Sequence, residues 1–196
     1  MSQPADTDTD NGASAEPEPE TLHGCPVTWS AGQQVLHVPR ERYSEVMMAL
    51  LADGFELCSD LCAVDYLPSP NRSLPEGVVP ERFEVVVNLT SMRHRRRLRV
   101  RVQVPDADPV VPSLFPIWPG TEAMEREAWD MLGVAFEGHP DLTRILMPED
   151  WEGHPLRKDY PIGRVPVQFK APARPPTAAD DDGRGPARDA SGMPAT

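Results

Sequence analysis

"FEVVVNLTSMRHRRRLRVRVQV", residues 83–104, is the stretch from which the fold can be read. Phe83, Val85, Val87 and Leu89 alternate with Glu84, Val86, Asn88 and Thr90, and after a turn near residues 92–95 the apolar series resumes at Leu98, Val100, Val102 and Val104. Period-two alternation on both sides of a polar turn predicts an antiparallel hairpin with one buried face. Arg97, Arg99 and Arg101 fall on the other face of the second strand, because successive side chains point to opposite sides.

Upstream, Pro39 opens a segment with Tyr43, Val46, Met47, Leu50 and Leu51 at the spacing of one helix face, and Gly54 is placed to end it. Residues 55–67 read as a strand, and residues 68–80, rich in proline with Asn and Gly, as a loop. Downstream, residues 105–120 form a second loop. Thr121 then caps a helix that carries Glu122, Glu125 and Glu127 in its first turns and Met124, Ala128, Met131 and Leu132 on its buried face, with Gly133 at its end. Beyond Gly133, prolines at 140, 148, 155, 161 and 166 recur too often for a regular helix or central strand.

The expected fold is α+β: two layers, a mostly antiparallel mixed sheet with helices on one face, followed by an extended C-terminal arm. Four regions follow. Residues 1–22 form a disordered acidic segment, 23–136 the α+β domain, 137–170 the arm, and 171–196 a disordered tail rich in Pro, Ala and Asp. The first region holds Asp6, Asp8, Asp10, Glu16, Glu18 and Glu20 without a single Lys or Arg, and almost nothing apolar.

The chain carries a net charge of −12 and has a sequence pI near 4.8, which argues against nucleic acid as a partner. Arg93 to Arg101 is a dense basic run that could meet phosphate, but it lacks stacking aromatics, so a solvated or protein-facing surface is the simpler reading. No apolar run long enough to span a bilayer and no leader pattern occurs, which points to the cytoplasmic side. Cys25, Cys58 and Cys62 form an odd set without Cys-x-x-Cys spacing. That suits a reducing compartment, offers too few thiolates for an ordinary iron–sulfur cluster, and suggests core packing for Cys58 and Cys62, which share a face if their segment is a strand.

Gly-His-Pro occurs twice, at residues 138–140 and 153–155, among Asp141, Glu149, Asp150, Glu152 and Asp159. Two histidines among carboxylates invite a metal or acid/base reading, and a metal-dependent hydrolase using His139 and His154 follows from it. Each histidine precedes a proline, however, and nothing local brings the two rings together. Leu142, Ile145, Leu146, Met147, Trp151, Leu156 and Tyr160 are many large apolar groups for an irregular segment. A partner surface, with Arg144, Arg157 and Lys158 as charged hooks, accounts for them better, and such an arm would order only against that partner.

Residues 125–161 resemble the signature of the C subunit, the 30 kDa-type subunit, of the proton-pumping NADH:quinone oxidoreductases, respiratory complex I. The resemblance rests on Glu125-Arg126-Glu127, Asp130, Gly133, Phe136, the first Gly-His-Pro with His139, Arg144 to Pro148, Asp150-Trp151, the second Gly-His-Pro with His154, and Leu156 to Pro161. It extends upstream to about Val35 and weakens toward the N-terminus. Thr143 departs from the pattern, since many members have a second Arg beside Arg144.

The resemblance implies a small α+β domain whose arm embraces the quinone-site D subunit, near the cluster-bearing B subunit, on the cytoplasmic face of the cell membrane. It also implies no cofactor in this chain, with FMN and iron–sulfur clusters in partner subunits passing electrons from NADH to quinone. Glu125, Arg126, Glu127, Asp130, His139, Arg144, Trp151, His154, Arg157, Lys158, Asp159 and Tyr160 are then docking or signature residues, with ion pairs between the helix and the arm or the quinone-site subunit. Trp151 is the expected anchor, Arg157, Lys158 and Asp159 the orienting charges. Read alone, the Glu-Arg-Glu run is a solvated helix face whose pairs contribute about 0.2–0.5 kcal/mol each. Related subunits of membrane-bound hydrogenases and of deazaflavin- or ferredoxin-dependent reductases fit the same pattern.

Overall fold

A computed structural model describes residues 20–161. Most of the expected acidic head, the end of the arm and the whole tail lie outside the described residues.

The hairpin forms as its alternation requires. Strand β5 (Phe83–Ser91) pairs antiparallel with β6 (Arg96–Val104) in unbroken register from Phe83↔Val104 to Ser91↔Arg96. Its inward row, Phe83, Val85, Val87, Leu89, Leu98, Val100, Val102 and Val104, is fully buried. Four more strands complete the sheet: β1 (Thr21–Leu22), β2 (Cys25–Ser30), β3 (Gln33–Val38) and β4 (Leu57–Asp65). The order is β1-β2-β3-β6-β5-β4, with β3 and β6 the one parallel pair among the described strands of this sheet. Thr21 and Leu22, expected within the disordered head, are thus part of the sheet, because their backbone pairs with Pro26 and Cys25.

Helix α1 (Tyr43–Ala52) buries Tyr43, Val46, Met47 and Leu50. Leu51, expected with them, is 39% exposed; at 100° per residue it sits on the flank of that stripe. A Schellman motif closes the helix: the Phe55 N–H donates to Leu50 O (3.1 Å) and the Gly54 N–H to Leu51 O (3.0 Å), with Gly54 at φ +88°. Helix α2 (Glu122–Leu132) follows a short 3₁₀ turn at Pro119–Thr121. Both helices share one core with the hairpin's inward row. The expected cap does not form, since the Thr121 hydroxyl donates inward to Glu125 instead of capping the helix backbone. The buried positions of α2 are Glu125, Ala128, Asp130 and Leu132, whereas Met124 and Met131 are half-buried.

Strand β4 holds a bulge between Cys58 and Asp60. One extra residue reverses the alternation, so Cys58 and Leu61 face the core and Cys62 faces out. The shared face expected for the two cysteines is therefore lost. The segment after Gly133 begins with β8 (Ala135–Glu137), which pairs parallel with β7 (Val110–Pro112) in a two-stranded ribbon. Residues 138–161 contain neither helix nor strand.

Candidate functional site

The last turn of α2 carries Asp130, a fully buried carboxylate at the end of a helix where the macrodipole disfavours negative charge. Donors from the arm make it tolerable. Oδ2 accepts three successive backbone N–H groups, from Ile145 (3.1 Å), Leu146 (2.8 Å) and Met147 (2.9 Å), while Oδ1 accepts from Arg144 Nη1 (2.5 Å). Burial pushes this carboxyl upward, but the amides of Met147 and Leu146, the Arg144 guanidinium and the Ile145 amide outweigh it and hold Asp130 below the usual aspartate range.

Arg144 continues the lock. Its Nη2 donates to the carbonyls of Trp151 (2.7 Å) and Gly153 (3.1 Å), so one guanidinium joins the helix to two points of the arm. Carbonyls left open at the helix C-terminus find partners as well: His154 Nδ1 donates to Asp130 O (3.0 Å) and the Leu156 N–H to Met131 O (2.9 Å). The His154 ring lies against Gly133, where a Cβ would come within 2.7 Å of it and where φ is +77°. From the helix side, Arg126 donates to Thr143 O (3.1 Å), Thr143 Oγ1 (3.0 Å) and Arg144 O (3.0 Å). Thr143 thus accepts through both its carbonyl and its hydroxyl, of which an Arg at this position would keep only the carbonyl.

One turn earlier, Glu125 is also fully buried. It accepts from Ser113 Oγ (2.6 Å), the Leu114 N–H (2.7 Å) and Thr121 Oγ1 (3.1 Å), fastening the preceding loop to α2. Burial raises this carboxyl despite those donors. The solvated Glu-Arg-Glu face read from sequence is therefore wrong for Glu125, although Glu127 is exposed. His139 Nε2 donates to Glu122 O (3.1 Å) and Nδ1 accepts from the Asp141 N–H (3.1 Å), so both ring nitrogens are engaged with backbone. Both histidines are engaged with backbone, and among the described residues no group of three or more His, Cys, Asp or Glu is placed to hold a metal ion.

The far end of the arm is fastened to the sheet. Asp65, whose side chain is fully buried, accepts from Arg82 Nε (3.1 Å) and Nη2 (3.0 Å), from the Leu67 N–H (2.9 Å) and from the Lys158 N–H (2.8 Å). Arg82 also meets Asp106 (3.0 Å) and Asp159 (2.9 Å), and Arg157 meets Asp106 (3.0 Å) and Asp159 (3.4 Å). Arg157 and Asp159, expected as orienting charges toward a partner, thus pair within the chain, and the expectation that the arm orders only against a partner gives way to these internal anchors. Asp65, Arg82 and Asp106 were missed because they lie far away in sequence.

Tyr160 packs under Gly153, whose Cβ would lie 2.9 Å from its ring. Trp151 is half-buried, and its indole N–H has no acceptor among the described residues. Facing outward are Ile145 (41% exposed), Leu146 (56%) and Leu156 (52%). Chemically, the arrangement turns two buried carboxylates and two arginines into a clamp that presents apolar side chains in a fixed conformation.

On the far sheet face, Arg101 is committed to the buried Glu84 (2.7 Å) and Tyr66 OH (3.1 Å), and Arg99 to Asn88 (3.2 Å), leaving Arg97 exposed.

Residues 36–165 match the family described as "Respiratory-chain NADH dehydrogenase, 30 Kd subunit". The chain is 47% identical over 148 residues to the C subunit of NADH-quinone oxidoreductase from Acidothermus cellulolyticus, covering 74% of this chain and 72% of that protein. Against the same subunit of Salinispora arenicola the identity is 48%, over 74% of this chain and 57% of the relative, so the chain matches little more than half of that longer protein. Among solved structures, a trypsin-resistant fragment of Nqo5 superposes with a TM-score of 0.55 at 38% identity, covering 61% of this chain and 90% of the fragment. A chain of an archaeal membrane-bound sulfane sulfur reductase shares the fold at a TM-score of 0.58 and 22% identity, over 70% of this chain and 78% of that one.

Proposed function

Because the chain belongs to the family of the respiratory-chain NADH dehydrogenase 30 kDa subunit, the C subunit of NADH-quinone oxidoreductase, we propose that it is a non-catalytic scaffold of the hydrophilic arm of a proton-translocating complex. Electrons from NADH would pass through FMN and iron–sulfur clusters held by other chains to quinone. This chain would keep those parts in register, docked against the quinone-site D subunit and the cluster-bearing B subunit at the cytoplasmic face of the membrane.

One observation carries the reading: Asp130 and Arg144 pin the arm so that Ile145, Leu146 and Leu156 stand outward on a rigid support. Preorganised apolar anchors suit a docking surface, because less ordering entropy is lost when the partner binds. Trp151, Lys158 and Glu127 border that surface in the proposal, while His139 and His154 act as backbone pegs behind it. Affinity purification of the chain from membranes of its native host tests this. Co-purification of quinone-site, cluster and flavin subunits in equal amounts is the expected result. Recovery of a nickel-bearing hydrogenase chain would move the protein to a related machine, and recovery of the chain alone would refute the scaffold role.

A further inference from the structure

The end of the sheet that carries the β2–β3 and β5–β6 turns has a chemistry of its own. In a chain of net charge −12, arginines elsewhere are paired internally: Arg40 with Asp108, Arg82 with Asp65, Arg101 with Glu84, Arg144 with Asp130 and Arg157 with Asp106. At this end Arg95, Arg96 and Arg97 are exposed and Arg99 is half-buried. Arg96 and Arg99 donate to the neutral amides of Gln34 (3.2 Å) and Asn88 (3.2 Å) instead of to carboxylates.

Two grooves meet there. One, of about 520 Å³, runs past Trp29, Arg95 and Arg96, and the other, of about 360 Å³, past Asn88 and Arg99, while Gln33 and Arg97 line both. Trp29 is 61% exposed, and its Nε1 donates to Glu20 (3.0 Å), which sets the orientation of the ring. The turns that shape the groove are braced. Ala31 and Gly32 adopt φ of +48° and +75°, Glu56 accepts from the Met92 N–H (2.9 Å) and the Arg93 N–H (3.3 Å), and Ser91 Oγ accepts from the His94 N–H (3.2 Å). The Arg96 guanidinium lies over the Phe55 ring at 5.8 Å.

The arm is fastened at the opposite end of the same strands, where Asp65 closes β4, Arg82 precedes β5 and Asp106 follows β6. The nine residues of β5, at about 3.3 Å each, separate the two ends by about 25–30 Å. A partner seated on the arm therefore leaves this groove to a different contact.

We propose that the joined grooves are a second docking site, which takes an acidic segment of a partner protein, its carboxylates on Arg95, Arg96, Arg97 and Arg99 and an apolar side chain against Trp29. Trp and Arg are the residues that concentrate binding energy at protein interfaces, and braced turns reduce the ordering cost of using them. Charge complementarity selects the acidic segment. A long polyanion fits less well, because beyond the groove it would meet the field of an acidic chain.

Photo-crosslinking of the full chain in membranes of its native host tests this, with Trp29→p-benzoylphenylalanine as the probe and, in a parallel sample, Leu156→p-benzoylphenylalanine as a reporter of the arm. The probe at position 29 should link to another protein within a stretch richer in Asp and Glu than in Lys and Arg. Arg95→Glu/Arg97→Glu should cut that yield at least about tenfold, and replacing the acidic residues of the linked stretch by Lys should restore most of it. Links from position 156 without any from position 29 would overturn the proposal and leave the scaffold role standing. So would links from position 29 to a neutral or basic stretch, to this chain's own residues, to a second copy of it or to nucleic acid, or a yield indifferent to the charge reversal.

Discussion

Replacing Asp130 with Asn removes one charge and almost no volume. The side-chain oxygen of Asn can still accept from the three amides at 145–147, but its NH₂ then faces the Arg144 guanidinium, donor against donor. Arg144, whose side chain is 12% exposed, is left without its counter-charge, and breaking a buried pair in this way costs about 3–5 kcal/mol. With a urea slope of about 2 kcal/mol per molar, a loss of about 4 kcal/mol lowers the unfolding midpoint by about 2 M. If the arm detaches before the domain unfolds, the loss appears as fast amide exchange at residues 145–147 and 156. Adding Arg144→Met should recover at least about 1 kcal/mol, since the orphaned charge is gone. A D130N protein within about 1 kcal/mol of wild type, with these amides still protected, would refute the clamp.

Gly133→Ala places a Cβ at φ +77° and within 2.7 Å of His154, so it should cost at least about 1–2 kcal/mol in urea unfolding, with His154→Ala relieving the clash but not the backbone strain. Asp130, Asp65 and Asp159 are each pushed upward by burial and then held below the ordinary aspartate value of 3.8 by their donors. A depressed carboxyl contributes stability that is present above its unfolded pKa and lost as the pH falls through its folded value. The stability gap between wild type and D130N, followed by urea unfolding, should therefore be full at pH 6 and shrink as the pH drops below 3.8. Glu125, raised by burial, has the opposite sign: its contribution is complete below 4.5 and is lost as the pH rises through its folded value. Burial also pushes the Cys58 thiol up to about 11, so thiol labelling of the native chain should modify the exposed Cys62 well before Cys58.

The central hairpin was legible because its signal is local: one buried face imposes period two, and nothing in residues 83–104 interrupts it. Helix α1 was legible for the same reason, down to the Gly54 stop. The β2–β3 pair went unread, although the Ala31-Gly32 and His23-Gly24 turns, both with positive φ at each residue, carry the X-Gly signature of tight hairpins. The bulge in β4 leaves no mark in composition, so the facing of Cys62 could not be foreseen. Glu125 looked like a surface charge because its donors come from Ser113, Leu114 and Thr121, and the partners that bury Asp130 come from residues 144–147. Only tertiary structure joins them. The apolar excess of the arm was legible as a surface in need of cover, but which residues turn outward depends on the Asp130 lock.

The most direct test of the scaffold account compares the amount of assembled complex in membranes with NADH:quinone turnover per assembled complex, for the wild type and for Leu146→Glu/Leu156→Glu. Both residues are more than half exposed in the folded chain, so the change spares the chain's own stability while placing charge in the proposed interface. Assembly should fall severalfold while turnover per complex stays the same. Normal assembly of complexes that have lost turnover would contradict it, because the arm would then belong to the chemistry and not to the support.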